Sequence, residues 1–311
     1  MPRAIPLCSL LIAVAVVSGT AQQQPFRASA DTVPVYATVT DKSGRLVPDL
    51  TRADFQVFDN GKPQPLTLFD NSPQPIRLIV LVDISGSMVR GLPFLREACA
   101  QLFASLGPGD LARMGTFGET IDISPVFTRD AAELMSALPQ VVPPNMPTPL
   151  WNAIDKAIGE LAATAAAGRP VVLVMSDSKD SGPKFRQKVI TQLDVSDRAE
   201  RDNVMIYGIG VQSRSPMGGG GTMMGQLVAG LPDPGLGTVA IDSGGGYLEI
   251  RARDDLAATF ARVVDELHHQ YLLGFAPPVR DGKTHKIEVR AVPKDLKLRA
   301  RKNYRAPAPE K

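Results

Sequence analysis

The segment Asp83-Ile84-Ser85-Gly86-Ser87 sets one carboxylate and two hydroxyls at alternate positions. In an extended turn, side chains at i, i+2 and i+4 point the same way, so three oxygens converge. Gly86 permits the tight path that brings them together. Oxygen donors without thiolate or imidazole among them suit a hard divalent cation: Mg²⁺, Mn²⁺ or Ca²⁺. Two further oxygen-bearing positions lie downstream. Thr148, in Pro147-Thr148-Pro149-Leu150, opens a helix-patterned stretch, and Asp177 follows the apolar run 171–175 through Ser176. For each of these residues taken singly, a capped turn is the structural alternative, since Asp, Ser and Thr favour helix starts and strand-end turns without any ligand.

A carboxylate and a metal at a strand end also describe a phosphoryl-transfer nucleophile. Haloacid-dehalogenase-like phosphatases need a second acid two residues on, and position 85 is a serine, whose hydroxyl cannot shuttle that proton near neutral pH. The three histidines, His268, His269 and His285, all come late in the chain. His268 and His269 close an amphipathic helical pattern, where dipole contact or solvation accounts for them. No Gly-x-Ser-x-Gly elbow occurs. The expectation is therefore a site with no catalytic residues. A metal-dependent hydrolase or phosphatase-like enzyme, and a structural scaffold with an inactive metal site, are the competing readings.

Strands and helices must position these oxygens. The run 78–82, Leu-Ile-Val-Leu-Val, has no alternation, as a strand buried on both faces requires. Residues 171–175 and 204–209 are of the same kind, and 111–117 and 121–127 are less apolar candidates. Leu150, Ile154, Ile158 and Leu161 share one face of a helix over about 150–167, and Leu256, Phe260, Val263, Val264 and Leu267 do the same later. Trp151 reads as core. Strands alternating with helices predict right-handed crossovers and a mostly parallel, doubly wound α/β sheet. Asp83 would then stand at the carboxyl end of its most apolar strand, where such sheets hold ligands.

On either side the texture is different. Residues 33–40 read as a strand, and 55–58, Asn60-Gly61 and 66–69 predict a hairpin, so 32–70 is expected to form a small antiparallel β unit. Segments 270–276, 284–291 and 296–301 also read as strands, and covering exposed strand edges would bring them to that N-terminal unit. The glycine-rich stretch 213–225 reads as a solvated surface insertion, since it lacks the Gly-Lys-Ser/Thr ending of a phosphate cradle.

Composition narrows the partners. With 34 basic and 32 acidic residues among 311, the net charge of +2 leaves no surplus to neutralise phosphates, and 5% aromatics offer no base-stacking surface; no nucleic acid is expected. At the N-terminus, Arg3 precedes an apolar stretch over 7–17 and the small residues Ser18-Gly19-Thr20-Ala21. This pattern predicts a signal peptide cleaved after Ala21, export to the periplasm or outside, and no stable membrane anchor after cleavage. The only thiol left would be Cys99, on an apolar helical face, so no internal disulfide is expected.

Asp83, Ser85, Ser87, Thr148 and Asp177 together resemble the von Willebrand factor A (VWA) domain and its metal-ion-dependent adhesion site: Asp-x-Ser-x-Ser, a later Thr, a later Asp. The resemblance covers roughly 76–270. Val33–Thr40 with Asp41-Lys42-Ser43-Gly44, Asp54-Phe55-Gln56-Val57-Phe58-Asp59-Asn60-Gly61-Lys62-Pro63 and Gln270-Tyr271-Leu272-Leu273-Gly274-Phe275 look like exported bacterial VWFA-related proteins. The resemblance implies a central parallel sheet with flanking helices, a bound divalent cation, and a protein partner whose Asp or Glu completes the metal's coordination. Lys179 and Asp180, beside Asp177, are candidates for the surface around that partner. Ser178 departs from the pattern, standing where the family has glycine. The implied organisation is a signal peptide (1–21), a flexible leader (22–31), an N-terminal β unit (32–72), a VWA-like domain (76–269), C-terminal strands packing with 32–72 (270–304) and a flexible tail (305–311).

Overall fold

A computed structural model describes residues 32–85, 92–142, 146–164, 168–177, 179–183, 188–212, 232–251 and 256–309. The expected signal peptide and leader, Ser87, Ser178 and the glycine-rich stretch 213–225 lie outside the described residues.

The chain opens with β1 (Val33–Thr40), β2 (Phe55–Asp59), β3 (Lys62–Gln64) and β4 (Leu66–Asp70). The middle of the chain alternates strand and helix: β5 (Ile76–Asp83), α1 (Leu92–Ala104), β6 (Leu111–Phe117), β7 (Ile121–Ile123), α2 (Ala131–Ser136), α3 (Leu150–Ala162) and β8 (Arg169–Ser176). It continues through α4 (Gln192–Asp202), β9 (Met205–Gln212), α5 (Pro234–Asp242), β10 (Tyr247–Arg251) and α6 (Leu256–His268). Four strands close it: β11 (Tyr271–Phe275), β12 (Thr284–Ala291), β13 (Lys297–Ala300) and β14 (Asn303–Arg305).

Six strands form the central sheet in the order β10-β9-β8-β5-β6-β7, parallel except for β7. The expected doubly wound α/β class is the one observed. All eight residues of β5 are buried, and their two-residue period divides them between two layers. Ile76, Leu78, Val80 and Val82 pack with Leu95, Cys99 and Leu102 of α1 and Phe260, Val264 and Leu267 of α6. Ile79 and Leu81 pack on the other face with Leu150, Ile154 and Ile158 of α3 and Val195 of α4. Helices on both faces explain why the strand shows no polar alternation.

From β5 the chain moves one way to β6, whereas from β8 it moves the other way to β9. The connections leaving the carboxyl ends of these two neighbouring strands therefore diverge, and a crevice opens at such a switch point.

The two chain ends build two antiparallel four-stranded sheets, β13-β1-β11-β4 and β14-β12-β2-β3. They enclose a separate core that includes Val35, Val57, Leu273, Phe275, Ile287 and Tyr304. The hairpin expectation needs correction here. The turn Asn60-Gly61, with φ of 48° and 80°, joins β2 to β3 rather than to 66–69. A two-residue turn with both φ positive pairs the residues immediately flanking it, and beyond Pro65 the chain crosses to the other sheet as β4, beside β11. The N-terminal strands consequently do not form a unit by themselves: β1 lies between β11 and β13, and β2 pairs with β12. The expected free tail also starts later than 305, since Ala306 is buried and its N–H donates to Lys283 O at 2.8 Å.

Candidate metal centre

Asp83 ends β5 in register with Phe117, one residue past the Val82–Met175 pair. Its carboxylate is wholly buried and turns the chain out of the sheet: Oδ1 accepts the Ser85 N–H at 2.7 Å, and Oδ2 accepts the Ser176 hydroxyl at 2.6 Å. An aspartate that bonds a backbone N–H two residues on sets such a turn by itself. Ser85 and Asp177 are also buried, at 4% and 1% exposure. Burial pushes the Asp83 carboxyl up to about 6; the bonds from Ser176 and Ser85 oppose that shift, and the negative charge of Asp177 adds to it.

Thr148, buried at 4% exposure, enters the same rim from a distant part of the chain. Its N–H donates to the Ser181 hydroxyl at 2.7 Å, while Ser181 N–H returns a bond to Thr148 O at 3.0 Å. The stretch 179–183 that follows β8 is thereby stitched to the start of α3. Pro149, the residue before that helix, supplies no side-chain cap; the Asp180 carboxylate accepts the Trp151 N–H at 3.3 Å instead. Asp180 N–H in turn donates to Asp233 Oδ2 at 3.0 Å, and Asp233 Oδ1 caps α5 through Gly235 N–H at 2.8 Å. Burial raises the Asp180 pKa, with the nearby Asp233 charge adding to it and backbone donors opposing.

Asp83, Ser85 and Asp177 therefore stand at adjacent strand ends, at the switch point, and Thr148 is tied to the same rim through Ser181. Ser87 lies outside the described residues. Sequence reasoning missed Ser176, Ser181 and Asp233. Asp233-Pro234 carries a signal that identifies it, a capping residue before proline in the first helical position. Ser181 carries none, because its partner is 33 residues away. Of the two candidates for the surrounding surface, Asp180 acts as the missing cap of α3.

The donor chemistry fits a hard cation. Two buried carboxylates, the charge of Asp177 disfavouring that of Asp83, with hydroxyls beside them, make an environment that a divalent ion would relieve. Among the described residues no group of three or more His, Cys, Asp and Glu side chains gathers in a metal-holding arrangement. Asp83 and Asp177 supply two carboxylates, and hydroxyls would have to supply the other donors.

A comparison with curated proteins found no match. Among solved structures, the chain is similar to a conserved hypothetical protein, BatB, from Bacteroides thetaiotaomicron, at 17% identity over 62% of this chain and 97% of that one, with a TM-score of 0.46. It is also similar to an aerotolerance-related membrane protein from Bacteroides fragilis, at 14% identity over 62% of this chain and 98% of that one, TM-score 0.45. A third is the vWF domain of the type V pili tip protein Mfa5 from Porphyromonas gingivalis, at 11% identity over 62% and 95%, TM-score 0.44. Residues 78–222 match the family model for the von Willebrand factor type A domain. β10 and α6 extend the same sheet and core beyond the matched residues. The family match over residues 78–222 and the helix-flanked, mostly parallel sheet agree on a von Willebrand factor type A fold for this part of the chain.

Proposed function

We propose that the chain is an exported, non-catalytic binding protein whose VWA domain engages a protein partner through a metal-ion-dependent adhesion site. VWA domains generally mediate protein–protein interactions. The observation that carries the reading is the placement of two buried carboxylates, Asp83 and Asp177, at neighbouring strand ends where the connections diverge. Asp83, Ser85, Ser87, Thr148 and Asp177 are the residues that would hold the cation. When bound, a divalent ion with mostly neutral ligands supplies a strong electrostatic contact for an incoming Asp or Glu carboxylate.

The residues of this chain do the positioning. Ser176 and the Ser85 amide fix the Asp83 carboxylate, while Ser181 and Asp180 fix the start of α3 and with it Thr148. Export is proposed from the N-terminal apolar stretch and the small residues that follow it.

Millimolar Mg²⁺ or Ca²⁺ is expected to raise the melting temperature of the protein by about 2–4 °C, the shift for a ligand at roughly five- to tenfold above its Kd. Asp83→Asn and Ser87→Ala are expected to remove that increment whatever their own melting temperatures. An equal increment in wild type and both variants removes the metal site. Phosphatase and esterase assays are expected at blank level; metal-dependent turnover lost in Asp83→Asn establishes the enzyme reading instead.

A further inference from the structure

At the end of the central sheet opposite Asp83, a cavity of about 470 Å³ opens between α4, α5 and the antiparallel strands. Two arginines line it. Arg169, at the start of β8, is 4% exposed; its guanidinium donates to the Gln270 side chain and to Leu267 O at 2.5 Å and stacks 4.5 Å over the Tyr36 ring. Arg301 donates to Asn203 Oδ1 at 2.8 Å and Pro34 O at 2.6 Å. All of these acceptors are neutral. Glu200 and Asp110 act on Arg301 and Arg169 only through their charge, with no hydrogen bond or ion pair to either guanidinium among the described residues, and the Nε of each arginine is buried without a hydrogen bond. Buried cations are ordinarily paired, and an orphaned N–H costs what a lost hydrogen bond costs. Burial pushes Arg301 down to about 10 even against the opposing charge of Glu200.

The opposite wall supplies the rest of the chemistry. Val204, Met205 and Val239 give it an apolar floor, and Ser196 and Thr238 present hydroxyls from α4 and α5. Three acids also line it: Glu200, which accepts the Thr284 hydroxyl at 2.6 Å, Asp242, paired with Lys302 at 2.7 Å, and Asp197, which is exposed. A plain anion satisfies the arginines and meets repulsion from these acids. A ligand that carries one carboxylate together with several hydroxyl donors, and a C–H face for the apolar floor, satisfies both walls.

We propose that this cavity is a binding site for a monosaccharide uronic acid, its carboxylate on Arg169 and Arg301 and its hydroxyls on the acids and hydroxyls of α4 and α5. A cavity of this volume lies in the range that encloses small ligands. The site is remote from Asp83 and needs no metal, so its test runs in EDTA and is independent of the adhesion reading.

Thermal unfolding of the protein with D-glucuronate or D-galacturonate, against D-glucose and acetate at equal concentration and ionic strength, measures it. A uronate is expected to raise Tm by about 2–4 °C at roughly five- to tenfold above its Kd, and glucose and acetate are expected to do nothing. Arg301→Gln is expected to abolish the shift. Ser196→Trp, a partly exposed position whose larger side chain fills the cavity, is expected to do the same, and it keeps the test decisive if Arg301→Gln does not fold. No shift with either uronate, an equal shift with glucose or acetate, or a shift that survives Ser196→Trp overturns the proposal.

Discussion

Asp83 and His285 are both buried titratable groups, and their surroundings treat charge in opposite ways. Asp83 receives donors yet is pushed towards its neutral form by burial and by Asp177. His285 is held by carboxylates at both ring nitrogens: Nδ1 lies 2.9 Å from Asp59, Nε2 lies 3.3 Å from Asp281, and Tyr304 Oη is 3.3 Å from Nδ1. Burial works to lower its pKa, but the hydrogen bonds and charges of Asp59 and Asp281 outweigh that and raise it above the ordinary 6.5. A group whose pKa is raised on folding contributes stability that is complete below the unfolded value and disappears as pH climbs through the folded value. Urea unfolding is therefore expected to show a stability component lost from about pH 6.5 upward. His285→Gln is expected to abolish that component and Asp59→Asn to shrink it; an unchanged pH profile in His285→Gln contradicts the assignment. Asp83, Ser85 and Asp177 are legible in the sequence as candidate oxygen donors because their chemistry lies in residue type and spacing, whereas the Ser176 hydroxyl on Asp83 is not. The Asp59–His285 contact is not, because its partners are 226 positions apart and only the pairing of β2 with β12 brings them together.

Elements are legible where length and composition leave one solution. β5, β6, β8, β12, α3 and α6 follow from apolar runs or a 3.6-residue period, and each lies within a few residues of its expected bounds. β1, β2, β4, β9, β11 and β13 also fall on segments that read as strands, whereas the remaining elements are hidden for physical reasons. β3 has three residues, too few for a period, and α5 is rich in glycine and small residues, while the strand expected over 121–127 is realised only over its first three residues as β7. The hairpin expectation fails because 66–69 is the more apolar candidate partner for β2, whereas the turn geometry selects the nearer one. β5 also carries the element-scale test. Leu78 is wholly buried between β6 and β8 and faces α1 and α6. Leu78→Ala leaves a cavity in a wall fixed on every side, and a loss of about 2–5 kcal/mol is expected in urea unfolding. A loss below about 1 kcal/mol would mean that the helical layer collapses into the space. Because Leu78 lies near the start of the strand, the Mg²⁺ increment is expected to survive, which separates damage to the core from damage at Asp83.

The molecule as a whole depends on a polar joint between the VWA sheet and the antiparallel strands. Glu266 of α6 accepts the Arg299 guanidinium of β13, the Tyr207 hydroxyl of β9 at 2.5 Å and the Thr38 hydroxyl of β1 at 3.1 Å. Gln270 extends the network, donating to Thr38 Oγ1 at 2.7 Å and to Tyr207 at 3.2 Å, and it accepts from Arg169. Neighbouring bonds of this kind polarise one another, and removing a shared acceptor strands every donor that used it. Glu266→Ala leaves Arg299 without its counter-charge and deprives two hydroxyls, so a loss of about 1–3 kcal/mol is expected. Its location predicts more than its size. Trp151 is the only tryptophan and belongs to the VWA core, so its fluorescence reports that domain, while far-ultraviolet circular dichroism reports both parts. In the wild type the joint couples the two cores, and both probes are expected to give one coincident transition, as a two-state unit requires. In Glu266→Ala the midpoints are expected to separate, because the antiparallel sheets then unfold with their own stability and no longer borrow that of the central sheet. Coincident transitions in the variant at an unchanged midpoint would locate the coupling elsewhere, in the backbone connection from α6 through Gln270 into β11.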